Sequence, residues 1–168
     1  MRAELLALAP IGLYSLVLVT AAVFDFFQRR IPNWAVVSLI LLFIVYACLG
    51  LTLTTWTSSL AAFGVALAGS GALYLAGWLG AGDSKLFAAA ALFAGLGNLL
   101  LLFVATVLAG GLYALVVLFI RPKEVLRGMT ARGRAEGKLR GIPYGVAIAA
   151  GALVTAYLTQ FHGAPHQL

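Results

Sequence analysis

Long apolar runs separated by short polar breaks dominate the chain, and each run of about 20 mostly apolar residues predicts a membrane-spanning helix. The first extends from Leu5 to Phe27 and closes on Asp25-Phe26-Phe27-Gln28-Arg29-Arg30. Ile31-Pro32-Asn33 follows, and proline there disfavours helix before it while suiting the first turn of a new one. A second span is expected from Trp34 to Leu51, then an uncharged Thr/Ser-rich turn from Thr52 to Ser59, with Trp56 placed as an interfacial aromatic. The third span, Leu60 to Leu79, is rich in Ala and Gly. Its Gly64, Gly69, Gly71 and Gly77 predict a helix buried in the bundle, where small residues let neighbours come close.

Gly80-Ala81-Gly82-Asp83-Ser84-Lys85 then reads as a glycine loop. The apolar run after it, Leu86 to Leu96, is short for a span, and Gly95-Leu96-Gly97-Asn98 reads as a tight turn. A fifth span covers Leu99 to Ile120. Arg121 to Gly141 is the one clearly polar segment, and its glycines argue against one long helix. Ile142-Pro143-Tyr144-Gly145 opens a sixth span that ends near Phe161. The expected fold class is all-α: a polytopic integral membrane protein, a bundle of about six transmembrane helices in a single domain over residues 1–168.

Composition supports the membrane reading. Of 168 residues, 63% are hydrophobic and 10% charged, where a soluble domain carries about a quarter charged residues. Mean hydropathy is +1.06. The N-terminal apolar run is too long for a signal-peptide core and is read as a span. The net charge of +6 comes mainly from residues 121–141, which hold seven of the eleven Lys and Arg. That segment is expected to be a cytoplasmic loop facing anionic lipid or a substrate leader, with no nucleic-acid partner. With six spans, Arg29, Arg30, Lys85 and those seven share one side, which the positive-inside rule makes cytoplasmic, leaving both termini outside. The single Cys48 excludes an internal disulfide and a cysteine-based zinc site.

The chain has only two aspartates, Asp25 and Asp83. A carboxylate in hydrocarbon is costly, so such residues default to functional hypotheses. Two spans separate the end of the first span from Asp83, so both acids fall near the same membrane surface. Two carboxylates in one site do not both ionise easily. The charged one can take a proton from water while the neutral one hydrogen-bonds a substrate carbonyl, the arrangement of aspartic proteases. That chemistry calls for no metal and no cofactor. The histidines, His162 and His166, fall at the opposite face. The bland alternative for both acids is a buried polar contact that stabilises the bundle.

Gly80-Ala81-Gly82-Asp83-Ser84-Lys85 resembles the GxGDxK motif of the type IV prepilin peptidases. Asp25 with Arg29-Arg30-Ile31-Pro32-Asn33 is similar to the first aspartate region of their small TadV/CpaA-type branch, and Ile142-Pro143-Tyr144-Gly145 to that branch's last-helix opening. The resemblance covers essentially the whole chain. It implies a bacterial inner-membrane aspartic endopeptidase that cuts the leader of Flp/Tad-type pilin precursors at the cytoplasmic face, typically just after a glycine, with Asp25 and Asp83 as the catalytic pair. Larger family members also carry a cysteine-rich cytoplasmic region and methylate the new N-terminus. No such region is present here, so cleavage without methylation is expected. Presenilins and archaeal preflagellin peptidases share the Gly-x-Gly-Asp element, but the Ile-Pro-Asn and Pro-Tyr-Gly pieces favour the pilin branch.

Around the pair, Gly80 and Gly82 are expected to shape the loop. Lys85 orients Asp83 or substrate, or else anchors the helix at the interface. Asn33 either hydrogen-bonds near the site or starts the second helix. The expected partners are a prepilin, through its leader and hydrophobic helix, and membrane lipid. Two readings from other classes compete: a small proton-coupled transporter using the two acids as a relay, and a non-catalytic subunit of a secretion machine.

Overall fold

The computed structural model describes residues 2–52, 54–120 and 144–162, and among them the side chains from residue 11 to residue 159. The basic segment 121–141, Ile142-Pro143 and His166 lie outside the described residues. Five helices form the described chain: α1 (Arg2–Gln28), α2 (Asn33–Cys48), α3 (Trp56–Leu75), α4 (Ala81–Ile120) and α5 (Tyr144–His162). Three are long and apolar enough to cross a membrane, over Ile11–Gln28, Trp56–Leu75 and Ala81–Ile120, and the apolar helices Asn33–Cys48 and Tyr144–Thr159 are shorter. The protein is an all-α membrane protein.

α4 is two apolar passes joined at one residue. Gly95 leaves helical geometry at φ 68°, ψ 172°, in the left-handed half of the map that side chains avoid. A break inside a membrane helix frees backbone groups that must find partners. Here the Leu96 N–H donates to Ser58 Oγ at 2.9 Å, and the Asn98 side-chain amide donates to the Ala94 carbonyl at 3.1 Å. Gly110 packs on Ala147, three residues past the start of α5, and Gly151 packs on Thr106. The second arm (96–120) therefore runs antiparallel to α5 and returns to the end of the bundle from which the first arm (81–94) set out. Counting both arms gives the six apolar segments expected from the pattern.

Two local expectations change. The helix carrying Asp83 begins at Ala81, so the acid sits in its first turn and not in a loop, and α3 begins at Trp56 inside the expected Thr/Ser turn. Thr55 explains the early start, because its side chain caps the N–H of Ser58.

The buried centre is also not α3. A Cβ added at Gly64, Gly69 or Gly71 would meet nothing within 4 Å. α3 buries only the narrow stripe Ser59, Ala62, Ala66 and Ser70. The central helix is instead the first arm of α4, where Ala88, Ala89, Ala90 and Ala91 are all fully buried. Four successive alanines present a small side chain in every direction, so helices can close around this arm on all sides.

α1 packs through Tyr14, Leu18, Ala21 and Asp25, all buried and spaced by three or four residues. Far from the acids, the Phe93 ring meets Tyr14 at 4.3 Å and Phe43 at 5.6 Å between ring centres, tying α1 and α2 to the end of the first arm.

Gly95→Ala forces a side chain into the left-handed region and places its Cβ 2.7 Å from Thr54 Cγ2. It is expected to cost about 1–3 kcal/mol of stability. Gly97→Ala, with nothing within 4 Å, should be neutral or stabilising by up to about 1 kcal/mol. Thermal midpoints of the two variants in detergent micelles check this difference.

Candidate active site

Asp83 is the third residue of α4, with Gly80 at the capping position before it. Its carboxylate folds back toward Gly80, whose backbone N–H interacts with it. This is the reciprocal half of a capping box, in which an acid in the first turn satisfies an N–H that helix geometry leaves open. The fold-back explains the motif's first glycine, since a Cβ at Gly80 would lie 2.5 Å from Asp83 Oδ2. The second glycine has a different reason. A Cβ on Gly82 would stand 3.1 Å from Ile31 Cβ, so Gly82 is where the α1–α2 connection packs against the start of α4.

Asp25 approaches the same place from the other direction. It lies near the C-terminal end of α1, on the helix's buried stripe, and is 6% exposed. Its Oδ2 accepts a hydrogen bond from the Gly145 N–H at 2.8 Å. Gly145 is the second residue of α5, so this N–H is one of the four that a helix start leaves unpaired. A Cβ at Gly145 would fall 2.7 Å from Asp25 Oδ2 and 2.9 Å from its Cβ, which makes glycine a steric requirement there.

Each aspartate therefore meets a backbone N–H at the start of a helix, Asp83 on its own and Asp25 on another. Helix starts favour negative charge. The two carboxylates are near enough for the charge on Asp25 to act on Asp83. The Arg29 charge, one turn beyond Asp25, acts on Asp25 in the opposite sense, as an attraction. Arg29 also ends α1 in the left-handed region, at φ 52°, a conformation usually left to glycine at helix ends.

A pair of buried serines braces the first turn of α4. Ser70 Oγ donates to the Ala66 carbonyl at 2.6 Å and lies 2.8 Å from Ser84 Oγ. This joins α3 to the residue that follows Asp83.

The structure thus brings Asp25, Asp83, Gly80 and Gly82 to one end of the bundle. Lys85 and Asn33 are placed differently: both are exposed, Asn33 as the first residue of α2. Gly145 and the Ser70–Ser84 pair were not singled out as site residues from the sequence. Tyr144-Gly145 at a helix opening was a signal for the first. Nothing in the sequence pairs Ser70 with Ser84, because their contact depends on how α3 packs against α4. Among the described residues, no three potential metal ligands cluster.

With this geometry in hand, comparison with known proteins places the chain. No curated protein and no solved structure matches it. The model of the Type IV leader peptidase family matches residues 12–115, a stretch that includes both aspartates, both motif glycines, the whole of α2, α3 and the first arm of α4, and most of α1 and of the second arm. The chain belongs to the Type IV leader peptidase family.

Proposed function

We propose that the protein is an aspartic leader peptidase in which Asp25 and Asp83 are the catalytic pair. The observation that carries this reading is that both lie at one end of the bundle, near enough for the charge of Asp25 to act on Asp83, each addressed by a helix-start N–H. In the working state one carboxylate is charged and the other holds a proton. The charged acid takes a proton from a water, whose oxygen bonds to the scissile carbonyl carbon. The protonated acid hydrogen-bonds the carbonyl oxygen as negative charge develops there. Collapse of the tetrahedral intermediate breaks the carbon–nitrogen bond, and a proton passes to the leaving amine.

The substrate in this reading is a pilin precursor of the Flp/Tad type, cut at the cytoplasmic face of the bacterial inner membrane and not methylated afterwards. The small TadV/CpaA-type branch is the best fit, on the motifs of the sequence and the absence of paired cysteines. The positive-inside count supports that orientation. Gly80, Gly82 and Gly145 shape the site. Lys85 and Asn33, both exposed, fit an interfacial anchor and a helix start better than contacts to the acids. The transporter reading gains nothing from the family match.

Asp25→Asn and Asp83→Asn should each lower leader cleavage by at least about a hundredfold at unchanged membrane abundance. The assay follows the size shift of a co-expressed precursor. Survival of near-normal processing in either variant refutes the pair.

Gly145→Ala should act through Asp25, because the added methyl displaces a carboxylate that catalysis needs in register. A displacement of this kind can cost about a hundredfold. Gly111→Ala on α4, where an added Cβ meets nothing within 4 Å, should cleave as wild type. Initial rates of precursor cleavage for the two variants, compared side by side, check the prediction.

A further inference from the structure

A half-open apolar cavity of about 790 Å³ lies between α3 and the second arm of α4, with Phe87 of the first arm and the start of α5 completing its wall. We propose that it cradles the apolar helix that follows the scissile bond in the substrate, an inference that rests on the leader-peptidase reading above.

Position gives the first reason. The cavity wall includes Leu79, which adjoins Gly80, and Tyr144, which adjoins Gly145. These two glycines carry the N–H groups that meet Asp83 and Asp25. One end of the cavity therefore borders the supports of both acids. From there its wall follows the second arm back as far as Leu96, at the opposite end of the bundle.

Tethering gives the second. A precursor whose scissile bond sits between Asp25 and Asp83 sends the apolar helix that follows into the bilayer beside the acids. The helix then lies against whatever surface descends from the acids, and this groove is such a surface.

Size gives the third. Leu96 to Val107 spans about 17 Å of helix, and a guest helix of about 10 Å diameter lying half-sunk along it displaces about 650 Å³. That is close to the cavity's 790 Å³. The wall suits such a guest: it is mostly aliphatic and aromatic, with Ser70, Thr106 and Tyr144 as its hydroxyl positions. Apolar side chains on the guest are accommodated with few polar contacts, so the groove selects for a helix and leaves the choice of residue to the acid site at its end.

The test uses the full chain in phospholipid vesicles, with a photoreactive benzoylphenylalanine in place of Phe103 or Leu100 in the groove, or of Leu41 on the outer face of α2. The probe substrate is a synthetic precursor: a basic leader ending in glycine, followed by an apolar helix long enough to span the bilayer. Placing the photoprobes in an Asp83→Asn background makes the readout independent of cleavage. Phe103 and Leu100 are expected to give adducts with the precursor's apolar helix several-fold above those from Leu41. Only lipid adducts at the groove positions, or equal precursor adducts at Leu41, would overturn the proposal.

A second variant, Val65→Trp, fills the groove from α3. It should lower kcat/KM for the precursor by roughly tenfold through KM, with kcat kept. An unchanged KM would count against docking there. Wild type failing to cut the precursor would count against the peptidase reading, whereas cutting without groove adducts would count against the docking site alone.

Discussion

A carboxylate placed among apolar helices must find hydrogen-bond donors or charge partners, and most backbone N–H groups in such a bundle are already used by the helices themselves. The open ones are at helix starts. This constraint organises the site. Asp83 folds back on the start of its own helix, and Asp25, near the wrong end of α1 for a helix dipole, reaches across 120 residues of sequence to the start of α5. The Asp25–Gly145 hydrogen bond thus joins the first and last described helices at the point where the chemistry is proposed to occur. Gly80 and Gly145 then follow from sterics, since a methyl group at either would occupy the space of the carboxylate it serves.

The rest of the fold brings those two helix starts to the same level. The break at Gly95 lets α4 turn back at the far end of the bundle, so that its second arm returns toward the acids and α5 starts beside them. The alanine run 88–91 lets the first arm occupy the centre, with α3 held against it by the stripe Ser59, Ala62, Ala66 and Ser70. Ser70 does more than fill space, because its contact with Ser84 fixes the turn that carries Asp83. The two aspartates depend on packing contacts made well away from them in the sequence.

Much of this was legible in the sequence. Apolar run lengths predicted six segments, and the scarcity of acids singled out Asp25 and Asp83. What the pattern misjudged has physical reasons. Hydropathy cannot tell an alanine that packs from a glycine that faces outward, so α3 was expected at the centre that the first arm of α4 occupies. Glycine-rich motifs read as loops, but Gly80-Ala81-Gly82 is glycine-rich because a carboxylate and Ile31 press on a helix start. Gly145 showed only as part of a helix-opening motif, since its role depends on an acid 120 positions earlier. Ser70–Ser84 is invisible to periodicity, as it is a contact between helices rather than a feature of either.

The central claim is that Asp25 and Asp83 work as one unit. The most direct measurement compares precursor cleavage rates of Asp25→Asn, Asp83→Asn and the double variant, in vesicles at matched protein content. Groups that act as a unit show strongly non-additive losses. Each single change is expected to remove nearly all the activity, and the double variant to be no slower than the worse single. Partial losses that multiply in the double variant would contradict the claim, because they would mean that the two acids contribute separately.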